Sequence, residues 1–190
     1  MAENKVKFGL SNVHIAPITA ISNSEVTYGT PFALPGAVNL TLDPEGESAD
    51  FYGDSTKYFS EFANQGYSGS LEIALINDEF RTQILGETAD SNGAMAESIN
   101  DTIKDFALGF QINGDKSNRR FWFYNVSAQR PSTASQTIES SKEPTTDTIN
   151  ITASARINDG KVKIFLEKTD ENAIAYDGFF AKVYESVTSA

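Results

Sequence analysis

Residues 105–130 read DFALGFQINGDKSNRRFWFYNVSAQR, and the fold class turns on them. Phe106, Leu108, Phe110 and Ile112 alternate with Ala107, Gly109 and Gln111, the period of two of a strand with a buried face. Residues 113–118, Asn-Gly-Asp-Lys-Ser-Asn, accept turn dihedrals, and an aromatic run over 120–126 follows, so the stretch predicts a β-hairpin. The second arm is aromatic on both sides, with Phe121 and Phe123 on one and Trp122 and Tyr124 on the other. Neither side suits water. One face packs inward; the other meets a helix of the same chain or a neighbouring subunit, which makes Trp122 and Tyr124 candidate contact residues.

The flanks extend the β pattern. Residues 37–43 alternate Val38, Leu40 and Leu42 with Asn39, Thr41 and Asp43, a half-exposed strand. Residues 57–62 and 70–76 read as two further strands joined by a turn over 63–69; Leu71, Ile73 and Leu75 point inward and Glu72 outward. Over 145–157, Ile149, Ile151, Ala153, Ala155 and Ile157 form one apolar face, and Asn158-Asp159-Gly160 predicts a hairpin into residues 161–167. Residues 5–9 and 12–19 read as an opening strand pair with Pro17 at an edge or a strand end, and residues 28–35 as an irregular extended connection. A helix is expected over 77–86, where Asn77 or Asp78 caps, Phe80, Ile84 and Leu85 are apolar, and Gly86 closes. Asn92-Gly93 marks a hairpin leading back toward the two strands of residues 105–130. Residues 176–184 read either as a short helix on the sheet or as an arm reaching a neighbour.

Two stretches read as long loops, near 43–56 and 131–144. The first is acidic and turn-forming, and Phe51 and Tyr52 within it are out of place in a solvated loop, so they become candidate docking residues. Its alternating carboxylates lack the spacing and the glycine of a calcium loop. No linker divides the chain, and residues 1–190 are expected to form a single domain.

Composition narrows the function. With 15 basic and 26 acidic residues the formal net charge is −11, which disfavours a nucleic-acid ligand, and no Lys or Arg stands between Lys7 and Lys57. The absence of cysteine excludes disulfides, thiolate metal sites and thiol nucleophiles, and fits a reducing compartment. No apolar run reaches signal-peptide or membrane-span length, so cytosolic synthesis without membrane insertion is expected. The lone His14, between Val13 and Ile15, reads as a hydrogen-bonded strand residue. No nucleophile elbow, phosphate loop, dinucleotide fingerprint or metalloprotease helix is present, and no cofactor is expected. Paired carboxylates such as Glu72 and Asp105 keep a glycosidase open as an alternative.

NKVKFGLSNVHIAP near the start, YGTPFALPGAVNLTLDPEGE, SGSLEIALINDEFRTQILGE, FALGFQINGDKSNRRFWFYN with AQRP, and TDTINITASAR together resemble the major tail proteins of long-tailed bacteriophages infecting Gram-positive bacteria. The resemblance covers nearly the whole chain. It implies a β-sandwich or barrel of the tail tube type with a flanking short α-helix, assembling into stacked hexameric rings that form a hollow conduit for DNA. It implies no enzyme activity, a place in the virion tail after assembly in the host cytoplasm, and tape measure, terminator and tip proteins as partners. Genomic DNA would pass without specific binding along an acidic lumen, for which Asp43 and Glu72 are the candidates, and the 43–56 loop would dock on adjacent subunits or rings. The alternative is a carbohydrate-binding or hydrolytic β-sandwich component of a virion.

Overall fold

The computed structural model describes residues 7–114, 118–135, 137 and 145–187. In chain order its strands are β1 (Leu10–Ile21), β2 (Val26–Tyr28), β3 (Phe32–Ala33), β4 (Ala37–Glu45), β5 (Ser48–Gly53), β6 (Thr56–Phe62), β7 (Gly66–Ile73), β8 (Thr88–Ala89), β9 (Met95–Ala96), β10 (Phe106–Ile112), β11 (Arg120–Ala128), β12 (Asp147–Ser154) and β13 (Lys163–Leu166). Helix α1 (Asp78–Phe80) runs on into a π-type turn over Arg81–Leu85, and α2 is Ala173–Asp177. The protein is mainly β. Its large sheet is antiparallel throughout, in the order β2-β1-β10-β11-β12-β7-β4, with β3 added to β1 and β13 to β11.

The hairpin of β10 and β11 forms as the alternation demands, with Leu108 opposite Phe123 and Gly109 opposite Trp122. β10 is covered on both faces. On the inner side Phe106, Leu108 and Phe110 join Phe123, Val126, Ile149, Ile151, Leu71, Ile73, Val13 and Ile15 in the main core. Phe80, Ile84 and Leu85 plug that core from the helical turn. There the Asn77 side chain accepts from Phe80 N at 2.9 Å, and Gly86 closes the turn at φ 80°, a left-handed value that suits glycine. On the outer side Ala107, Trp122 and Tyr124 form a second cluster with Ala16, Phe179 and Val183. Trp122 gains its place from Gly109, where a Cβ would lie 2.8 Å from the indole ring.

Several expectations fail for local reasons. Residues 63–69 are not a turn: Ala63 N donates to Glu47 O, Gln65 N donates to Glu45 O, and residues 66–69 already belong to β7. The glycines serve close approach, since a Cβ on Gly66 would meet Ala153 O at 2.1 Å and one on Gly69 would meet Thr41 O at 1.9 Å. Of the expected opening strand pair, residues 12–19 lie in a single strand, β1, kinked by a bulge at Asn12, whose φ is 52°; residues 7–9 form no strand, and residues 5–6 lie outside the described residues. A similar irregularity between Ala37 and Asn39 leaves Val38 on the outside, and β7 ends at Ile73, so that Leu75 is exposed and Ile76 buried. The predicted hairpin after residue 157 does not pair with β12. The chain leaves the sheet at Ser154, turns through residues 155–162, and returns as β13 on the edge of the same strand, β11, that β12 has just left. The alternation changes phase in that excursion, burying Arg156 and exposing Ala155 and Ile157.

Candidate assembly surfaces

Residues 43–56 do not form a loop. β5 and β6 pair from Ser48 with Phe62 to Gly53 with Thr56, through a tight turn in which Asp54 and Ser55 take φ of 48° and 61°. The two hydrogen bonds of residues 63 and 65 join this pair to the β4–β7 ladder, so β4 with β5 and β6 with β7 make one long ribbon. Its inner half is held by β12 through β7, and its outer half pairs with no further strand among the described residues. A Cβ on Gly46 would sit 2.7 Å from the Phe62 ring, so that ring closes over the junction.

The outer half is an arm that carries aromatic side chains without a core to bury them. Phe51 and Tyr52 are each 63% exposed, and Tyr58 is 82% exposed. Phe59 and Phe62 are also exposed. Asp50 accepts from Ser60 and pairs with Lys57 at 2.8 Å, and these bonds hold its carboxyl below the ordinary range. The reading of Phe51 and Tyr52 as exposed aromatics is thus matched by their placement, but Tyr58, Phe59 and Phe62 belong with them. The signal is in the run KYFSEF, which puts aromatic residues on both faces of the strand, Tyr58 and Phe62 on one and Phe59 on the other.

A second surface is the outer face of β4, β7 and β12. Three rows cross it: Asn39, Glu72 and Thr148; Thr41, Ser70 and Asn150; Asp43, Ser68 and Thr152. All nine side chains are polar, the two charges are both carboxylates, and the opposite face carries Leu40, Leu71 and Ile149. The structure therefore brings Asp43 and Glu72 onto one face, on neighbouring strands and four residues apart along them. Glu72 accepts a bond of 2.6 Å from the Thr146 hydroxyl, while Asp43 is exposed.

Glu72 and Asp105 are not a catalytic pair. Asp105 leads into β10, and β11 and β12 stand between β10 and β7, so at about 4.8 Å per strand the two carboxylates lie well beyond glycosidase spacing. Burial alone pushes the Asp105 carboxyl up. His14 is satisfied locally, with Nδ1 2.8 Å from Asn12 O and its ring stacked on Phe180 at 4.6 Å. Among the described residues no group of acidic or histidine side chains is arranged to hold a metal ion, and no helix is long and apolar enough to cross a membrane.

Trp122 and Tyr124 require a correction. Both are fully buried within the chain itself, under the segment that follows α2. Trp122 Nε1 donates to Phe179 O at 2.9 Å and the Tyr124 hydroxyl donates to Tyr184 O at 2.9 Å. The second apolar face of β11 is met by the C-terminal segment of the same chain. Beside them lies an ion cluster that the sequence did not announce. Arg156, 3% exposed, stacks over the Tyr124 ring at 3.8 Å and pairs with Asp159 at 2.6 Å and with Glu185 at 2.5 Å. Burial works against the charge of Arg156, but the bonds to Glu185 and Asp159 more than offset it. The second expected loop, 131–144, lies for the most part outside the described residues.

No protein-family model matches the chain, and a search of curated proteins returns no match.

Proposed function

We propose that the chain is a structural subunit of a bacteriophage tail tube, of the β-sandwich or barrel type with a flanking short helix, and that it stacks in rings around a channel for DNA. The observation that carries this reading is the arm. A two-stranded ribbon bearing five exposed aromatic residues is a poor ornament for a monomer, because a lone pair of strands is marginal in water and exposed apolar patches mark contact surfaces. Docked on an adjacent subunit, those rings gain the burial they lack. The polar face of β4, β7 and β12 suits the channel wall, since its hydroxyls, amides and carboxylates offer DNA no cation to hold. Chemistry on a substrate has no part in this function. The protein would act in the virion tail, after assembly in the host cytoplasm, with tape measure, terminator and tip proteins as partners.

Negative-stain microscopy of the concentrated full chain tests the reading. Rings or tubes support it; a persistent monomer with affinity for glycans would replace it with a carbohydrate-binding sandwich.

A further inference from the structure

The C-terminal segment over residues 173–187 covers the outer face of β11 without joining the sheet: beyond α2, its described residues form no strand. The sheet grips it with side chains aimed at its backbone. Trp122 and Tyr124 donate to the carbonyls of Phe179 and Tyr184, and Arg120 donates to that of Tyr176. The apolar cluster beneath this strap is separate from the main core, so the strap can lift while the main core stays packed.

The ion cluster makes lifting easier. Arg156 has two carboxylate partners from different parts of the chain. Asp159, in its own turn, takes Nε at 3.0 Å and Nη2 at 2.6 Å; Glu185, on the strap, takes Nη1 at 2.5 Å and Nη2 at 3.0 Å. When Glu185 leaves, the guanidinium keeps a bidentate partner, and no buried cation is stranded. The connector over residues 167–172 is a turn closed by Asn172, which donates to Glu167 O and exchanges bonds with Thr169. Opened out, its six residues reach about 20 Å.

A bare face is no stable alternative, because it would expose an indole ring and a phenol ring together with their polar atoms. The vacated face must be refilled, and the surface that matches it group for group is the same strap on another molecule. We propose that the strap is exchangeable, so that residues 173–187 of one copy dock on the Trp122 and Tyr124 face of a second copy and the second copy reciprocates. This holds whether or not the chain builds tubes.

The test uses the full chain, which has no cysteine of its own. Lys161 Nζ and Ser186 Oγ lie 2.8 Å apart between the turn and the strap, and both residues are exposed. Lys161→Cys and Ser186→Cys chains, mixed at high concentration and treated with a short bismaleimide, should give a dimer bridged from 161 to 186, in several-fold excess over dimers of either variant alone. The double variant should bridge within one chain when dilute, which confirms the strap's seat. A mixture that yields no more dimer than the separate variants overturns exchange, and a double variant that fails to bridge overturns the seat and exchange with it. Glu185→Gln in both chains should speed the appearance of the mixed dimer; an unchanged rate removes the latch role of Glu185 from the proposal. Tubes formed by the double variant after bridging within the chain would refute exchange as an assembly step and leave the tube reading standing.

Discussion

Phe51 and Phe59 stand directly opposite each other across β5 and β6, one 63% and the other 53% exposed, on a ribbon with no third strand beside it among the described residues. Directly opposed residues have Cβ atoms about 5 Å apart, so the two rings present a single apolar patch. Phe51→Ser with Phe59→Ser should leave the isolated subunit folded, with stability changed by less than about 0.5 kcal/mol, because surface positions contribute little. Assembly should fail. Circular dichroism and tube yield check the two halves, and a normal yield from the folded variant would remove the arm from the contact.

The outer face of β11 should behave as interior. Tyr124→Phe deletes the bond to Tyr184 O and should cost about 1 kcal/mol. On the inner face, Phe123→Ala should cost about 3–5 kcal/mol. Denaturant titration reads both. Trp122 is the only tryptophan, and its emission should be that of a buried indole in the dilute subunit and stay so on assembly. A large blue shift on tube formation would show that the face is open until then.

Gly69 should tolerate no side chain. A Cβ there would sit 1.9 Å from Thr41 O, inside the β4–β7 ladder, so Gly69→Ala must part the two strands at the root of the arm. Loss of cooperative unfolding, or a drop of several degrees in Tm, is expected. An unaltered Tm would mean that the ladder yields there without penalty.

Alkaline titration should reveal the cluster around Arg156. Burial pushes the Tyr28 hydroxyl from 10.0 up to about 12, and its proton is held in a 3.0 Å bond to Tyr124 O. Burial raises the Tyr124 hydroxyl as well, with the Glu185 charge adding to it. The folded state therefore keeps protons that the unfolded chain releases. Stability from this source is full below pH 10 and falls as the pH climbs towards 12. Denaturation across that window should show the fall, and Tyr28→Phe should shrink it. An unchanged slope in the variant would assign the effect elsewhere.

The channel wall gives a further test. Asp43→Lys with Glu72→Gln alters two exposed or half-buried positions on the polar face and should leave rings intact. Mutant virions should then retain DNA at low salt and release it at high salt, because a Debye length of about 8 Å at physiological strength confines the attraction to the wall. Salt-independent ejection from normal tails would place these residues away from the channel.

Where one strand face meets a core, the sequence was legible: β10, β11 and β12 alternate because their neighbours demand it, and the helical turn carries its own cap at Asn77 and stop at Gly86. Of the two strands of the arm, β6 is legible in the sequence, but β5 reads as a loop because a ribbon without a core beneath it imposes no period, and acids with Gly53 then resemble a flexible tether. Gly66 and Gly69 looked like turn residues although they answer to carbonyls of Ala153 and Thr41, remote in sequence. Trp122 and Tyr124 announced a second buried face correctly, but their partner lay some sixty residues away. Asp43 and Glu72 were paired by pattern alone, and strand register places them on one face.

The unbroken ribbon from β4 into β5 and from β6 back into β7 has a mechanical meaning. A tug on the arm directed along its strands is shared by many ladder bonds at once, all sheared together, whereas a sideways pull peels them singly from the tip. A stack of subunits joined through such arms would resist stretching along one direction and yield readily in another. The orientation of the arm relative to the axis of an assembly would thus decide whether that assembly is stiff or supple.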